Sequence, residues 1–137
     1  MAAFVQEERE LERHILDNLA LFGLLKYKDT LSSNLPYGEQ RKLEIVRALN
    51  TNPALLLLDE PAAGMNEEET RELMSLVKKI QEMYNLTILI IEHDMKFIMG
   101  LCEQIQVIDS GKVIAFGSPK EVQSNPEVIK AYLGEEV

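Results

Sequence analysis

The run Leu55-Leu56-Leu57-Leu58-Asp59-Glu60 constrains this chain more than any other feature. Four leucines in a row suit a strand buried on both faces, as in the middle of a parallel sheet. Charge is costly inside such a core, so the strand is expected to end where Asp59 and Glu60 begin. In open α/β sheets the carboxyl ends of the strands are where ligands gather. One acid there can face a metal ion while its neighbour orients or deprotonates a water. Taken alone, the pair also reads as acidic residues capping a strand at the surface. The flanking sequence has to decide.

After this run come Leu73, Leu76, Val77, Ile80 and Tyr84 at helical spacings, then a second apolar run, Leu86-Thr87-Ile88-Leu89-Ile90-Ile91. Strand, helix and strand in this order predict a parallel βαβ unit with a right-handed crossover. Asn66 followed by Glu69 predicts the cap of the intervening helix. A parallel arrangement carries His93, just past the second strand, to the same sheet edge as Asp59 and Glu60.

Upstream, residues 3–22 read as a helix with Phe4, Leu11, Ile15 and Phe22 on one face and Gly23 as its stop. Residues 24–37 read as a connector. A second helix is expected from about Gly38 to Leu49, with Leu43, Val46 and Leu49 as its stripe and Asn50-Thr51-Asn52-Pro53 ending it. Downstream, a short helix over 94–102 should turn Phe97, Ile98, Leu101 and Cys102 inward. Asp109-Ser110-Gly111-Lys112 between apolar runs predicts a hairpin. Ser118-Pro119-Lys120-Glu121 has the composition of a helix start, and Asn125-Pro126 opens a last helix expected to end at Gly134.

Composition limits the partners. A length of 137 residues suits one compact domain, and 46% hydrophobic with 27% charged residues is a globular profile. The net charge of −9, with no long Lys/Arg block, argues against nucleic acid. Nucleotides stay open, since backbone N–H groups and a metal ion can hold them. Nothing approaches the ~20 apolar residues of a membrane span. The acidic start at Glu7-Glu8 does not read as a signal peptide, so a cytoplasmic location is expected. A single cysteine, Cys102, excludes an intrachain disulfide and a cysteine-based zinc site. His14 is expected on the polar side of the first helix.

A glycine at a helix entrance lets backbone N–H groups approach an anion, which places Gly38 beside the acid pair and His93 as a third element. The stretch from Leu35 to Glu60, with His93 downstream, resembles part of an ATP-binding cassette (ABC) transporter ATPase, namely its carboxy-terminal half. Leu35-Pro36-Tyr37-Gly38-Glu39-Gln40 occupies the place of the signature motif. Leu55–Asp59 is similar to the Walker B strand, and Pro61-Ala62-Ala63-Gly64-Met65-Asn66 to the segment with the D-loop. Ile91-Glu92-His93-Asp94 is similar to the switch-histidine loop. The Tyr-Gly signature, the Ala-Ala-Gly-Met-Asn segment and the ending at Ala131–Gly134 most resemble subunits of branched-chain amino-acid importers.

The resemblance implies a partial P-loop NTPase fold of the α/β class, with a parallel βαβ core, a C-terminal β-hairpin and flanking helices. It implies that residues 1–50 belong to the helical signature subdomain and residues 51–137 to the ATPase core. It gives Asp59 the Mg²⁺, Glu60 the attacking water and His93 the γ-phosphate. Leu35, Pro36, Tyr37, Gly38, Glu39, Gln40 and Asn66 would meet a nucleotide bound mainly by an opposite subunit. ATP and Mg²⁺ would be the cofactors of the complete subunit. Its partners would be the missing amino-terminal half or a second ATPase subunit, and transmembrane permease subunits at the inner face of the cell membrane.

Four departures qualify this. Pro36 replaces the usual signature serine and has neither hydroxyl nor backbone N–H to donate. Tyr37 replaces a glycine, and Glu39 puts a carboxylate where phosphate should dock. Nowhere does the chain contain Gly-x-x-x-x-Gly-Lys-Ser/Thr, the loop that cradles phosphates. This chain alone is therefore expected neither to bind ATP tightly nor to hydrolyse it. The missing strands would leave an apolar face or sheet edge open, with self-association as one outcome. An alternative is a non-catalytic interaction module that kept the fold. A chromosome-maintenance or DNA-repair ATPase shares the motif order, but neither its long heptad helix nor its basic surface is present.

Overall fold

The computed structural model describes residues 2–133. They gather into two compact units, Met1–Ile91 and Glu92–Val137, where length and composition suggest one. No described helix is long and apolar enough to cross a membrane.

The first unit opens with helix α1 (Ala2–Leu21), which stops before Gly23 at φ +70°. Phe22 and Leu24 are buried behind it, whereas Phe4 and Leu11 are exposed and Ile15 is half-buried. The expected four-residue stripe is thus realised only at its carboxyl end. The inward position on the last turns belongs instead to Asn18, which is fully buried. The connector forms two single 3₁₀ turns, Leu25–Tyr27 and Ser32–Asn34. Helix α2 (Tyr37–Leu49) buries Ile45, Val46 and Leu49, with Leu43 half-buried and Lys42 inside.

Strand β1 (Leu55–Asp59), helix α3 (Glu67–Tyr84) and strand β2 (Thr87–Ile91) form the expected parallel unit, in register from Leu55↔Thr87 to Asp59↔Ile91. The Asn66 side chain accepts from the N–H of Glu68 and Glu69, and Glu69 bonds back to the Asn66 N–H. Leu73, Val77 and Ile80 are buried, each contributing about 1.5–3 kcal/mol by leaving water. Asn85, left-handed at φ +50°, closes α3.

One expectation fails here. β1 is buried on one face only: Leu56 and Leu58 point inward, while Leu55 and Leu57 are exposed. Leu89 and Ile91 of β2 are exposed as well. The sheet has two strands among the described residues. A continuous apolar run reflects two covered faces, and here only one is covered.

The second unit holds helix α4 (Met95–Leu101), strands β3 (Ile105–Asp109) and β4 (Lys112–Gly117), and short helices α5 (Pro119–Gln123) and α6 (Pro126–Val128). Asp94 caps α4 through the N–H of Lys96 and Phe97. Phe97 and Ile98 are buried, whereas Leu101 and Cys102 are half-buried. β3 and β4 form an antiparallel hairpin. Its tight turn needs positive φ at both central residues, supplied by Ser110 (+48°) and Gly111 (+78°). Ser118 and Glu121 form the expected capping box. A π-helical turn, Ile129–Leu133, follows α6; Gly134, the expected stop, lies outside the described residues.

Candidate nucleotide-facing edge

The parallel register sets Asp59 beside Ile91 at the carboxyl edge of the sheet. One further ladder bond forms beyond the last strand residue: the Glu60 N–H donates to Ile91 O at 2.8 Å. There the backbone leaves the pleat, because Glu60 adopts φ +44°. The left-handed region costs a residue with a Cβ about 1–2 kcal/mol. Such strain persists where surroundings over-determine it, and functional edges are common hosts. Here the ladder bond, buried Pro61 and a turn bond from Ala63 N–H to Glu60 O (3.1 Å) hold the conformation. Asp59 and Glu60 are both exposed.

Asp59 also borders a cleft of about 140 Å³ with Arg41 and Glu44 of α2, over a floor that includes Leu57, Leu58 and Pro61. Arg41 donates through Nε to the Tyr37 hydroxyl at 2.9 Å and through a terminal nitrogen to Glu44 at 3.0 Å. The Glu44 bond first, then the Tyr37 bond, push the guanidinium pKa above its ordinary value.

The segment Leu35–Gln40 forms the entrance to α2. Leu35 is buried, and Gln40 Nε2 donates to its carbonyl at 2.8 Å, closing the turn. Pro36 stands at the N-cap with no side-chain cap bond, as its lack of a hydroxyl requires. Gly38 is buried under Glu69: a Cβ on Gly38 would stand 3.0 Å from Glu69 Oε1. Glu39 Oε2 is buried without a hydrogen bond, and Lys42 Nζ lies 3.6 Å away. Lys42 in turn binds Glu72 Oε2 at 2.9 Å. Asn66 is exposed and uses its side-chain oxygen to cap α3.

His93 follows Ile91 by two residues and belongs to the second unit. Its side chain is 73% exposed, while that of Glu92 is 2% exposed. The His93 N–H donates to Glu92 Oε2 at 3.2 Å, and the ring Nδ1 lies 3.9 Å from the same oxygen.

A hydrated divalent cation fits Asp59. Magnesium is commonly held by one or two carboxylates, its other positions going to water and phosphate oxygens. No cluster of three or more His, Cys, Asp or Glu able to enclose an ion exists among the described residues, so an ion at Asp59 would draw most of its ligands from water and phosphate oxygens. A phosphate fits the entrance of α2 less well. Its helix dipole favours an anion, but Glu69 over Gly38 and Glu39 alongside oppose one.

Sequence spacing missed the covering of Gly38 by Glu69, the burial of Lys42 and the burial of the Glu92 side chain. Tyr37 and Arg41, four apart on one helix, carried a readable signal for their bond.

Residues 2–63 match the family model described as ABC transporter. Residues 112–137 match the one described as branched-chain amino acid ATP-binding cassette transporter. The chain is 47% identical over 131 residues to LivG of Salmonella typhimurium, a high-affinity branched-chain amino acid transport ATP-binding protein; the match covers 93% of this chain and 51% of LivG. With BraF of Pseudomonas aeruginosa, which carries the same description, identity is 44% over 133 residues, or 97% of this chain and 52% of BraF. A crystal structure of the ADP conformation of an ATP-binding cassette of an ABC transporter superposes with a TM-score of 0.81 at 30% identity, covering 92% of this chain and 51% of that one. The chain spans about half the length of the curated relatives it matches. With residues 2–63 and 112–137 matching two models of this kind and LivG similar over 93% of the chain, the chain belongs to the ABC transporter family.

Proposed function

We propose that this chain is the carboxy-terminal part of the ATP-hydrolysing subunit of an ABC importer that energises uptake of branched-chain amino acids or similar solutes. Residues 1–50 serve as part of its signature subdomain and residues 51–137 as part of its core. The observation carrying this reading is the backbone at the sheet edge: Asp59 paired with Ile91, and Glu60 held to Ile91 O in a left-handed turn.

Asp59 is the carboxylate that would hold Mg²⁺, and the bound ion would neutralise negative charge on the phosphates. Glu60, fixed by its turn, orients and polarises the attacking water. His93 contacts the transferred phosphoryl group, its loop pinned by the bond from its N–H to Glu92. The entrance of α2, from Leu35 to Gln40, faces the nucleotide of an opposite subunit, with Asn66 nearby. Phosphoryl transfer of this kind depends on positioning and charge stabilisation, not covalent chemistry by the protein. The phosphate cradle comes from elsewhere, because this sequence contains no Gly-x-x-x-x-Gly-Lys-Ser/Thr. The assembled subunit sits at the inner face of the cell membrane, against permease subunits.

The carboxylates of Glu39 and Glu69 at the entrance of α2 favour a second reading, a non-catalytic module that kept the fold. Equilibrium binding of magnesium-ATP separates the two. The chain alone should bind nothing measurable. Co-expressed with the part of LivG outside the match, it should bind in a magnesium-dependent way that Asp59→Asn weakens. Binding indifferent to Asp59→Asn would contradict the assignment.

A further inference from the structure

The turn that leaves β1 holds two left-handed residues, Glu60 at φ +44° and Gly64 at φ +75°. Two backbone bonds run within it, Ala63 N–H to Glu60 O and Met65 N–H to Ala62 O, both at 3.1 Å. A left-handed residue with a Cβ persists where neighbouring structure over-determines it. Helix α2 is the neighbour at both ends of this turn. At the start, buried Pro61 lines one cleft with Arg41, Glu44 and Ile45. At the end, the Gly64 backbone meets the ring of Tyr37, where a Cβ would stand 2.9 Å from Cε1.

Tyr37 is 48% exposed, so a ring this open would swing away from Gly64 unless it were tethered. Arg41, one helical turn further on, supplies the tether. Its Nε donates to the Tyr37 hydroxyl at 2.9 Å, and its guanidinium carbon lies 5.2 Å from the ring centroid, within cation–π range. A terminal nitrogen of Arg41 is held in turn by Glu44 at 3.0 Å. All three residues stand on α2, so the ring is braced from a single rigid element.

We propose that Tyr37 and Arg41 are positioning residues for Glu60. The ring, tethered at its hydroxyl by Arg41, holds the far end of the turn against α2 and so fixes the direction in which Glu60 leaves the sheet. Neither residue has to touch the reacting atoms. Tyr37 thereby has a task within its own subunit, separate from facing a nucleotide. The proposal rests on the role given to Glu60 above, but the geometry it asserts exists without nucleotide.

The test begins with amide hydrogen exchange, followed by NMR, in the full chain without nucleotide. In Tyr37→Phe and Arg41→Ala the Ala63 and Met65 N–H groups should exchange about two- to tenfold faster, the scale of one hydrogen bond. Tyr37→Ala removes the ring as well and should exceed both. The carbon-13 shift of the Glu60 Cα, which reports its backbone angles, should move in the same order. Leu73 and Ile80, buried in α3, should keep their exchange rates. Both substituted side chains are partly exposed, so the variants should fold, which circular dichroism checks. If Tyr37→Ala does not fold, the other two variants decide. Unchanged turn amides would overturn the proposal. So would equal acceleration at Leu73 and Ile80, which would reduce the pair to general stability.

Turnover then separates positioning from the catalytic reading. In a chimera carrying this chain in place of the matched region of Salmonella LivG, Arg41→Ala should lower kcat for magnesium-ATP about tenfold and leave KM within about twofold. A kcat that stays put while the turn amides move would overturn the positioning role. A chimera with no turnover before substitution would count against the proposed function, while the exchange result would still stand or fall by itself.

Discussion

Gly64 lies against the ring of Tyr37, so close that a Cβ on Gly64 would stand 2.9 Å from Tyr37 Cε1. The contact joins the entrance of α2 to the turn that follows Glu60, the two segments that resemble the signature motif and the D-loop. Gly64 is also left-handed at φ +75°, so two separate demands exclude a side chain there. Gly64→Ala should cost about 1–2 kcal/mol from the backbone alone, with a further steric share from the ring. Tyr37→Ala in the same chain should return only the steric share. Urea denaturation of the two single variants and the double variant measures both parts. Full rescue by Tyr37→Ala would show that the backbone conformation is not strained for alanine.

Asn18 should be the most sensitive polar position in the first unit. It is fully buried and donates to Asn50 Oδ1 at 2.8 Å and to His14 Nε2 at 3.4 Å, while the Tyr84 hydroxyl donates to its carbonyl oxygen. His14 also meets Tyr84 edge-on at 6.1 Å, so it is part of this network and not simply solvated. Asn18→Leu leaves several polar groups without partners and should cost about 2–3 kcal/mol. Tyr84→Phe, which removes one bond, should cost about 1 kcal/mol. Thermal or urea unfolding gives both numbers. A neutral Asn18→Leu would mean that water replaces the amide at no cost.

The Ser118–Glu121 box makes a pH prediction. Bonds first from the Ser118 hydroxyl and then from its backbone N–H hold the Glu121 carboxyl below its ordinary pKa. A depressed folded pKa means the charged form is favoured by folding. The contribution is complete above the ordinary glutamate range and fades as pH falls through the depressed value. Ser118→Ala should raise the Glu121 pKa toward its ordinary value in an NMR titration, and the acid end of α5 stability should shift to higher pH. An unchanged Glu121 titration would refute the role of the hydroxyl.

These cases show what the sequence discloses and what it withholds. The βαβ unit and both capping boxes were legible because their codes are short: helical spacing from Leu73 to Tyr84, Asn66 with Glu69, Ser118 with Glu121. Asp59 and Glu60 were legible for the same reason, as charge following an apolar strand. Burial was less so. Leu55 and Leu57 carry the composition of a covered strand, but whether a second layer covers them is decided outside their own segment. Phe4 and Leu11 fit a helical stripe, yet only the turns near Phe22 meet a core. Asn18 could not be read as a core residue, because its partners lie 32 and 66 positions away. The covering of Gly38 by Glu69 depends on how α2 meets the start of α3, which spacing along one helix does not encode.

The most direct test of the account is magnesium-dependent ATP hydrolysis by the chain alone, by its mixture with the complementary part of LivG, and by the same mixture carrying Glu60→Gln. Turnover should be absent from the chain alone, present in the mixture, and about 10²–10⁴-fold lower with Glu60→Gln, the usual scale for losing an acid–base group. Turnover by the isolated chain that Glu60→Gln abolishes, or turnover by the mixture that Glu60→Gln leaves intact, would contradict it.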